Sequence, residues 1–411
     1  MNRSRFALIF GAILTSSSIA GEPEWPQWHG PQRDRVWLTR DLPAMLAKEP
    51  PRRWTKPLGG GFGGVAVSGG LVYVMDRQAI PTEVERVVCM ELDSGKTKWV
   101  REYPVAYKGL DYGNGPRCTP TVHDGLAYTL GAVGHLYCLK AADGEIVWKH
   151  DCVQEFAAKY PTWGLASSPL IDGDRVLVQV GAKDGCIMAF DRKTGAVAWK
   201  ALQDRAGYAA PIRIDAGKSK LVVMWTAENV NGLDAETGKV IWSVPFTVSY
   251  DVAISDPVWH DGVLLCGQYW EGSLALKLDE HGADPQRAWE SRKLRLLMST
   301  PLIRDGHAYC LDRDNGLVCV EMKTGKIRWD GFRVSYDKRN PHASLVWTGD
   351  GRALILNEKG ELIQAKLAPT KYEELGRSKI FDGSWAHPAF ARGCMVVRDD
   401  KQIICVKLAG E

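Results

Sequence analysis

The stretch TGKVIW at residues 237–242 decides the fold of this chain, because it recurs. The same form, a glycine four residues ahead of a tryptophan, stands at SGKTKW (94–99), DGEIVW (143–148), TGAVAW (194–199) and TGKIRW (324–329). A worn copy, ADPQRAW, ends at Trp289. From Trp99 to Trp329 the steps between these tryptophans are 49, 51, 43, 47 and 40 residues. A repeat of that length marks a propeller, a solenoid or an array.

The text inside a unit says which. Between Cys118 and His150 run CTPTV, the turn His123-Asp124-Gly125, LAYTLG, a second turn at Val133-Gly134, HLYCL, a third turn at Asp143-Gly144, and EIVWKH. These are short alternating segments separated by hairpin signals, which read as four antiparallel strands. Nothing in the unit has a helical period. A lone four-stranded sheet leaves both faces wet, and radial stacking buries each between its neighbours. The chain has 16 tryptophans against 9 phenylalanines. The recurrent indoles, Trp99, Trp148, Trp199, Trp242, Trp289 and Trp329, are expected to wedge between adjacent sheets, each N–H finding a carbonyl.

First strands are read at GGVAV (63–67), CTPTV (118–122), SSPLI (167–171), AAPIR (209–213), SDPVW (255–259), STPLI (299–303), ASLVW (343–347) and AHPAF (386–390), which makes eight units. The last stops at QIICVKLAGE, where a fourth strand is due, while RRWTKP (52–57) has the form of an outer strand without a sheet. The prediction is an all-β, eight-bladed propeller at 52–411 whose last blade is closed by the strand carrying Trp54. Residues 21–51 form an N-terminal extended segment. Unit seven lacks the tryptophan, so seven blades plus a linker is the alternative count.

Arg3 and Arg5 precede an apolar run, Phe6 to Leu14, and a small-residue site before Gly21. That is an export signal at 1–20, with cleavage expected after Ala20 and a periplasmic or extracellular destination. No transmembrane segment is expected in the mature chain, which is expected to be a monomer. A net charge of +3 on 411 residues gives no case for nucleic acid. Ten cysteines carry no CxxC and no zinc spacing, so mostly free buried thiols are expected, with one or two bridges left open. Cys89, Cys138, Ala189, Gly232 and Cys319 share one repeat position, which is read as an inner-strand place for a small side chain.

The TGKxxW endings, the opening EWPQWHGPQRDRV (24–36), GNGPRCTPTV (113–122), PTWGLASSPLIDGD (161–174) and AGYAAP (206–211) resemble the tryptophan-docked propellers of the PQQ-like, quinoprotein alcohol dehydrogenase-like superfamily. The resemblance implies one of two activities. Quinoprotein dehydrogenases hold pyrroloquinoline quinone and calcium in the channel beside an aspartate base. BamB-type outer-membrane assembly propellers are of about this length, bind no quinone and offer loops to a partner. The chain lacks the adjacent Cys-Cys pair of many such dehydrogenases and the lipoprotein cysteine of the scaffolds.

The residues before the recurrent proline are Thr119, Ser168, Ala210, Asp256, Thr300 and His387, with Ser344 at the matching place in unit seven. Most are small and neutral, so the channel is read as a neutral, small-residue lining. Asp256 and His387 are the weak catalytic candidates. They are expected on opposite sides of the ring, either as polar groups solvated at the mouth or as an acid–base pair. The longer crossovers, 104–116 and 151–165, lie on one face and bring Tyr112, Asn114, Arg117, Phe156 and Trp163 toward Tyr208. These six are the candidate binding residues; the plainer reading is loop packing. No nucleotide, nucleophile-elbow or metalloprotease motif occurs. The expected function is a binding or scaffold module for a protein, with a small molecule or glycan as other occupants of the mouth. No cofactor and no metal are expected. The alternatives are a dehydrogenase using pyrroloquinoline quinone with calcium and a carbohydrate-binding propeller.

Overall fold

Each Gly-to-Trp stretch forms the turn and outer strand of a four-stranded antiparallel sheet in the computed structural model, which describes residues 22–410 apart from Arg40 and Lys218. The export signal at 1–20 lies outside the described residues. Among them are eight sheets, seven of four strands and one of five, arranged as the blades of a propeller. The last is closed as expected: Arg52–Pro57 pairs with Gln402–Lys407, Trp54 opposite Cys405.

The tryptophans dock forward. Trp99 of blade one gives its indole N–H to Ala141 O of blade two at 3.0 Å, and Trp148 to Arg192 O at 3.1 Å. Trp242, Trp289 and Trp329 do the same to Gly282, Met322 and Ala368. Trp54 completes the circle on Leu92 O of blade one at 2.7 Å. Trp199 occupies the same place but its N–H has no partner. The turn glycine answers a second demand besides its left-handed backbone. A Cβ on Gly238, at φ +72°, would lie 2.4 Å from the Trp199 ring of the preceding blade.

Two expectations are corrected, and the alternative count of seven blades falls. The shared small-residue position is on the third strand of each blade, opposite the tryptophan: Cys89 pairs with Trp99, Cys138 with Trp148 and Gly232 with Trp242. The indole lies across it, since a Cβ on Gly232 would stand 2.2 Å from Trp242. The innermost strands begin after the proline, as in Leu170–Asp172 and Leu302–Arg304, because proline has no N–H for the ladder. Unit seven is a full blade. At its inner edge Val36–Trp37 adds a parallel strand beside Ala343–Thr348; toward its outer edge, where the tryptophan is missing, the Leu46 N–H donates to Gln364 Oε1 and Ser378 Oγ to Ala47 O, and Leu42 and Leu46 are buried in the same core cluster as blade eight. All ten cysteines are buried and free. Among the described residues no helix is long and apolar enough to cross a membrane.

Candidate binding site at the mouth of the channel

The residues before the prolines are polar for a reason the repeat does not reveal. They tie neighbouring blades at the axis. Ser168 Oγ accepts the N–H of Thr119 at 3.0 Å, and Thr300 Oγ1 accepts that of Asp256 at 3.1 Å. Asp256 Oδ1 accepts that of Ala210 at 2.7 Å. Asp256 is thus a carboxylate in a place where serine or threonine does the same work.

The axis itself is filled by the N-terminal segment, which hydrogen-bonds or packs against every blade. Trp25 O and Pro26 O accept from Val67 and Val122 of blades one and two. The Arg33 guanidinium donates to Pro169 O at 3.1 Å and Pro211 O at 3.3 Å, in blades three and four. Trp28 Nε1 donates to Asp256 Oδ2 of blade five at 2.6 Å. Arg35 donates to Pro301 O of blade six, and its own carbonyl accepts from Trp347 of blade seven. Trp37 stacks on Phe390 of blade eight, centroids 4.9 Å apart. His29, Arg33 and Arg35 all hold positive φ, at 64°, 56° and 60°. Each such residue costs about 1–3 kcal/mol and persists only where its surroundings over-determine it. The neutral, small-residue lining is therefore corrected: two arginines enter the channel from a segment outside the repeat.

Asp256 and His387 are corrected in the same way. Asp256 is 4% exposed, not solvated. Trp28 stands between the pair, giving its N–H to Asp256 while its ring lies 4.3 Å from that of His387. Burial raises the Asp256 carboxyl above its usual range, against the lowering effect of the Trp28 bond and of Arg33. Burial, then His342 and Arg35, hold His387 well below its usual range. Burial likewise lowers His29, whose Nδ1 lies 3.4 Å from Asp256 Oδ2, and brings His342 down to about 4.

Above this floor is a cup of about 170 Å³. Of the candidates read from the sequence, Tyr112, Arg117, Trp163, Tyr208, Asp256 and His387 line it. Asn114 and Phe156 do not. Asn114 Oδ1 accepts the N–H of Leu110 at 3.2 Å and folds its own loop. Phe156 ends a one-turn helix, Cys152–Phe156, capped by Asp151, and packs at 5.9 Å on Phe190 under the Lys200 ammonium. The sequence reading missed Trp28, Phe62, Asn340, His342 and Trp385, which also line the cup. Trp28 sat in plain view in the opening motif; the others come from three different crossovers with no shared signature. Tyr112, 53% exposed, bridges the rim. Its ring is 5.9 Å from Trp163 and 5.3 Å from Trp385, and its hydroxyl accepts from Asn340 Nδ2 at 3.4 Å.

The donor set does not fit pyrroloquinoline quinone with calcium. A tricarboxylate needs free cations, and Arg117, the one arginine in the lining, gives its N–H groups to the carbonyls of Gly115, Asp111 and Gly113. A calcium ion needs several hard oxygen ligands. Both oxygens of Asp256 already accept N–H groups, and among the described residues no three His, Cys, Asp or Glu side chains are grouped to hold a metal.

Comparison with known proteins places this architecture. A quinohemoprotein alcohol dehydrogenase, ADH IIB, of Pseudomonas putida is 26% identical over 247 residues, covering 54% of this chain and 34% of that one. An outer membrane protein assembly factor BamB of Alteromonas naphthalenivorans is 28% identical over 245 residues, covering 54% of this chain and 57% of its own. The chain thus spans about a third and somewhat over half of these relatives. The solved quinohemoprotein alcohol dehydrogenase of Comamonas testosteroni shares the fold, with a TM-score of 0.67 at 13% identity over 95% of this chain and 81% of that one. Residues 108–331 and 228–368 match the family described as outer membrane protein assembly factor BamB. On that match and its eight blades, the chain belongs to this PQQ-like propeller family.

Proposed function

We propose that this propeller is a binding module that holds a protein partner over the mouth of its channel at the cell envelope, without transforming it. The observation that carries the reading is the floor of the cup. It is sealed by the chain's own Trp28, and the polar atoms of Asp256 are taken by Trp28 and Ala210. What remains open is the rim, with Tyr112, Trp163 and Trp385 on the crossovers between rigid blades. Exposed aromatics over a concave site are the anchors that protein interfaces favour. The relatives named as assembly factors support a protein partner, and the leader read at 1–20 supports an envelope location. The dehydrogenase reading is favoured by the names of other relatives and opposed by the donor set.

The test places a photo-crosslinking amino acid at Tyr112 in living cells, with a control at Ile146 on an outer strand. A discrete adduct from Tyr112 alone is expected. No adduct at Tyr112, or dye-linked alcohol oxidation after loading with pyrroloquinoline quinone and calcium, overturns the reading.

A further inference from the structure

The crossover at 104–116 is folded so as to bring two neighbouring side chains to the cup. Arg117, just past its end, donates to the carbonyls of Asp111, Gly113 and Gly115 at 3.1, 2.8 and 2.6 Å. Inside that turn Tyr112 holds φ +64°, a left-handed conformation that persists only where the surroundings impose it. Its ring stands at the centre of an aromatic belt. Tyr208 lies 5.2 Å from Trp163, Trp163 5.9 Å from Tyr112, Tyr112 5.3 Å from Trp385, and Trp385 6.3 Å from Phe62. All five line the cup. Neighbouring rings are inclined to one another by 34° to 65°, so the belt is a curved wall and not a flat slot.

Asp111, beside Tyr112, brings a carboxylate to the same lining. It is exposed, and among the described residues none donates to its carboxylate or forms an ion pair with it. The other charged groups of the lining are engaged. Both oxygens of Asp256 accept N–H groups, and Arg117 is held by its three carbonyls with its guanidinium 4.9 Å from the centroid of Phe62. Burial keeps His342 and His387 neutral at physiological pH. An anion entering the cup would therefore meet Asp111 with no free cation to answer it. An apolar group covering Asp111 would strip water from an unpaired carboxylate. A cation gains from both sides, because aromatic faces are negative and Asp111 completes an ion pair. Among cations a guanidinium suits the site best: it is planar and weakly hydrated, stacks on aromatic faces and forks onto a carboxylate. Arg117 over Phe62, the end ring of the belt, is an example of that contact within the chain. We propose that the cup receives an arginine side chain of the protein partner, its guanidinium held among Tyr112, Trp163 and Trp385 and paired with Asp111. This rests on the reading above that the mouth holds a protein.

Ligand-observed NMR on the full chain at low salt compares Nα-acetyl-arginine methylamide with the corresponding citrulline derivative, which is planar and of the same size but uncharged. Millimolar binding of the arginine derivative, at least about threefold tighter than that of citrulline, is expected. Asp111→Asn keeps the shape and removes the charge at an exposed position; it weakens the arginine derivative about twofold to fivefold, leaves citrulline unaffected and does not move the melting temperature. Tyr112→Ala weakens the arginine derivative by a similar factor, about twofold to fivefold. Equal binding of citrulline, no binding of either derivative, or an Asp111→Asn variant with the parent's affinity for arginine overturns the inference. A Tyr112 photo-adduct that forms in any of those cases leaves the protein-binding reading standing, so the two failures are distinguishable.

Discussion

Acid should loosen the axis of this propeller, and His342 sets a measurable share of the effect. Its imidazole is 2% exposed, its Nδ1 has no partner, and burial brings its pKa to about 4. In the unfolded chain the same group titrates near ~6.5. Between those values the unfolded state binds more protons, so stability falls as pH falls. From pH 7 to pH 5 this group alone removes about 2 kcal/mol. His29 and His387, also lowered by burial, act in the same direction. Asp256 acts oppositely: its raised carboxyl pKa means that the folded state takes up the proton more readily, so acidification through that range favours folding. The experiment is urea unfolding of the protein and of His342→Phe across pH 5–7, with the imidazole titration followed by NMR. The variant should gain about 2 kcal/mol on the parent over that span. Parallel curves, or a folded-state imidazole titrating between pH 6 and 7, would refute the reasoning.

Three further outcomes follow from the docking geometry. Trp148→Phe should cost about 1 kcal/mol more than Trp199→Phe, because both indoles press on a turn glycine but only Trp148 gives its N–H to a carbonyl; equal costs in chemical unfolding would contradict this. Gly238→Ala should destabilise by at least about 2 kcal/mol, through its positive φ and its contact with Trp199, whereas Gly125→Ala meets no neighbouring atom and should cost only the backbone term. All ten thiols should resist alkylation in the native protein and react without reductant once it is denatured; a mass deficit would reveal a bridge.

The blades were legible because their determinants are local. A turn glycine, a tryptophan four residues on and alternating apolar residues repeat whatever the rest of the chain does, and the counted period leaves the orphan RRWTKP strand one place to go. The missing tryptophan of unit seven was equally visible, but the covering of that edge by residues 42–47 was not, since a non-repeating segment carries no period. The cup was half legible. Tyr112, Trp163 and Tyr208 stood out because long crossovers on one face must converge. Phe156 was misread because a single helical turn, capped by Asp151, aims it at Phe190.

What the sequence determined by itself, then, is everything set by near neighbours along the chain: eight modules, their hairpins, their docking indoles and the strand that closes them. What only the tertiary structure decided is the axis, where residues 25–37 meet the inner edges of all eight blades and Trp28 seals the floor of the cup. The physical reason is distance in sequence. The bond from Trp28 to Asp256 joins residues 228 positions apart, and no local pattern announces a partner that only ring closure brings within reach.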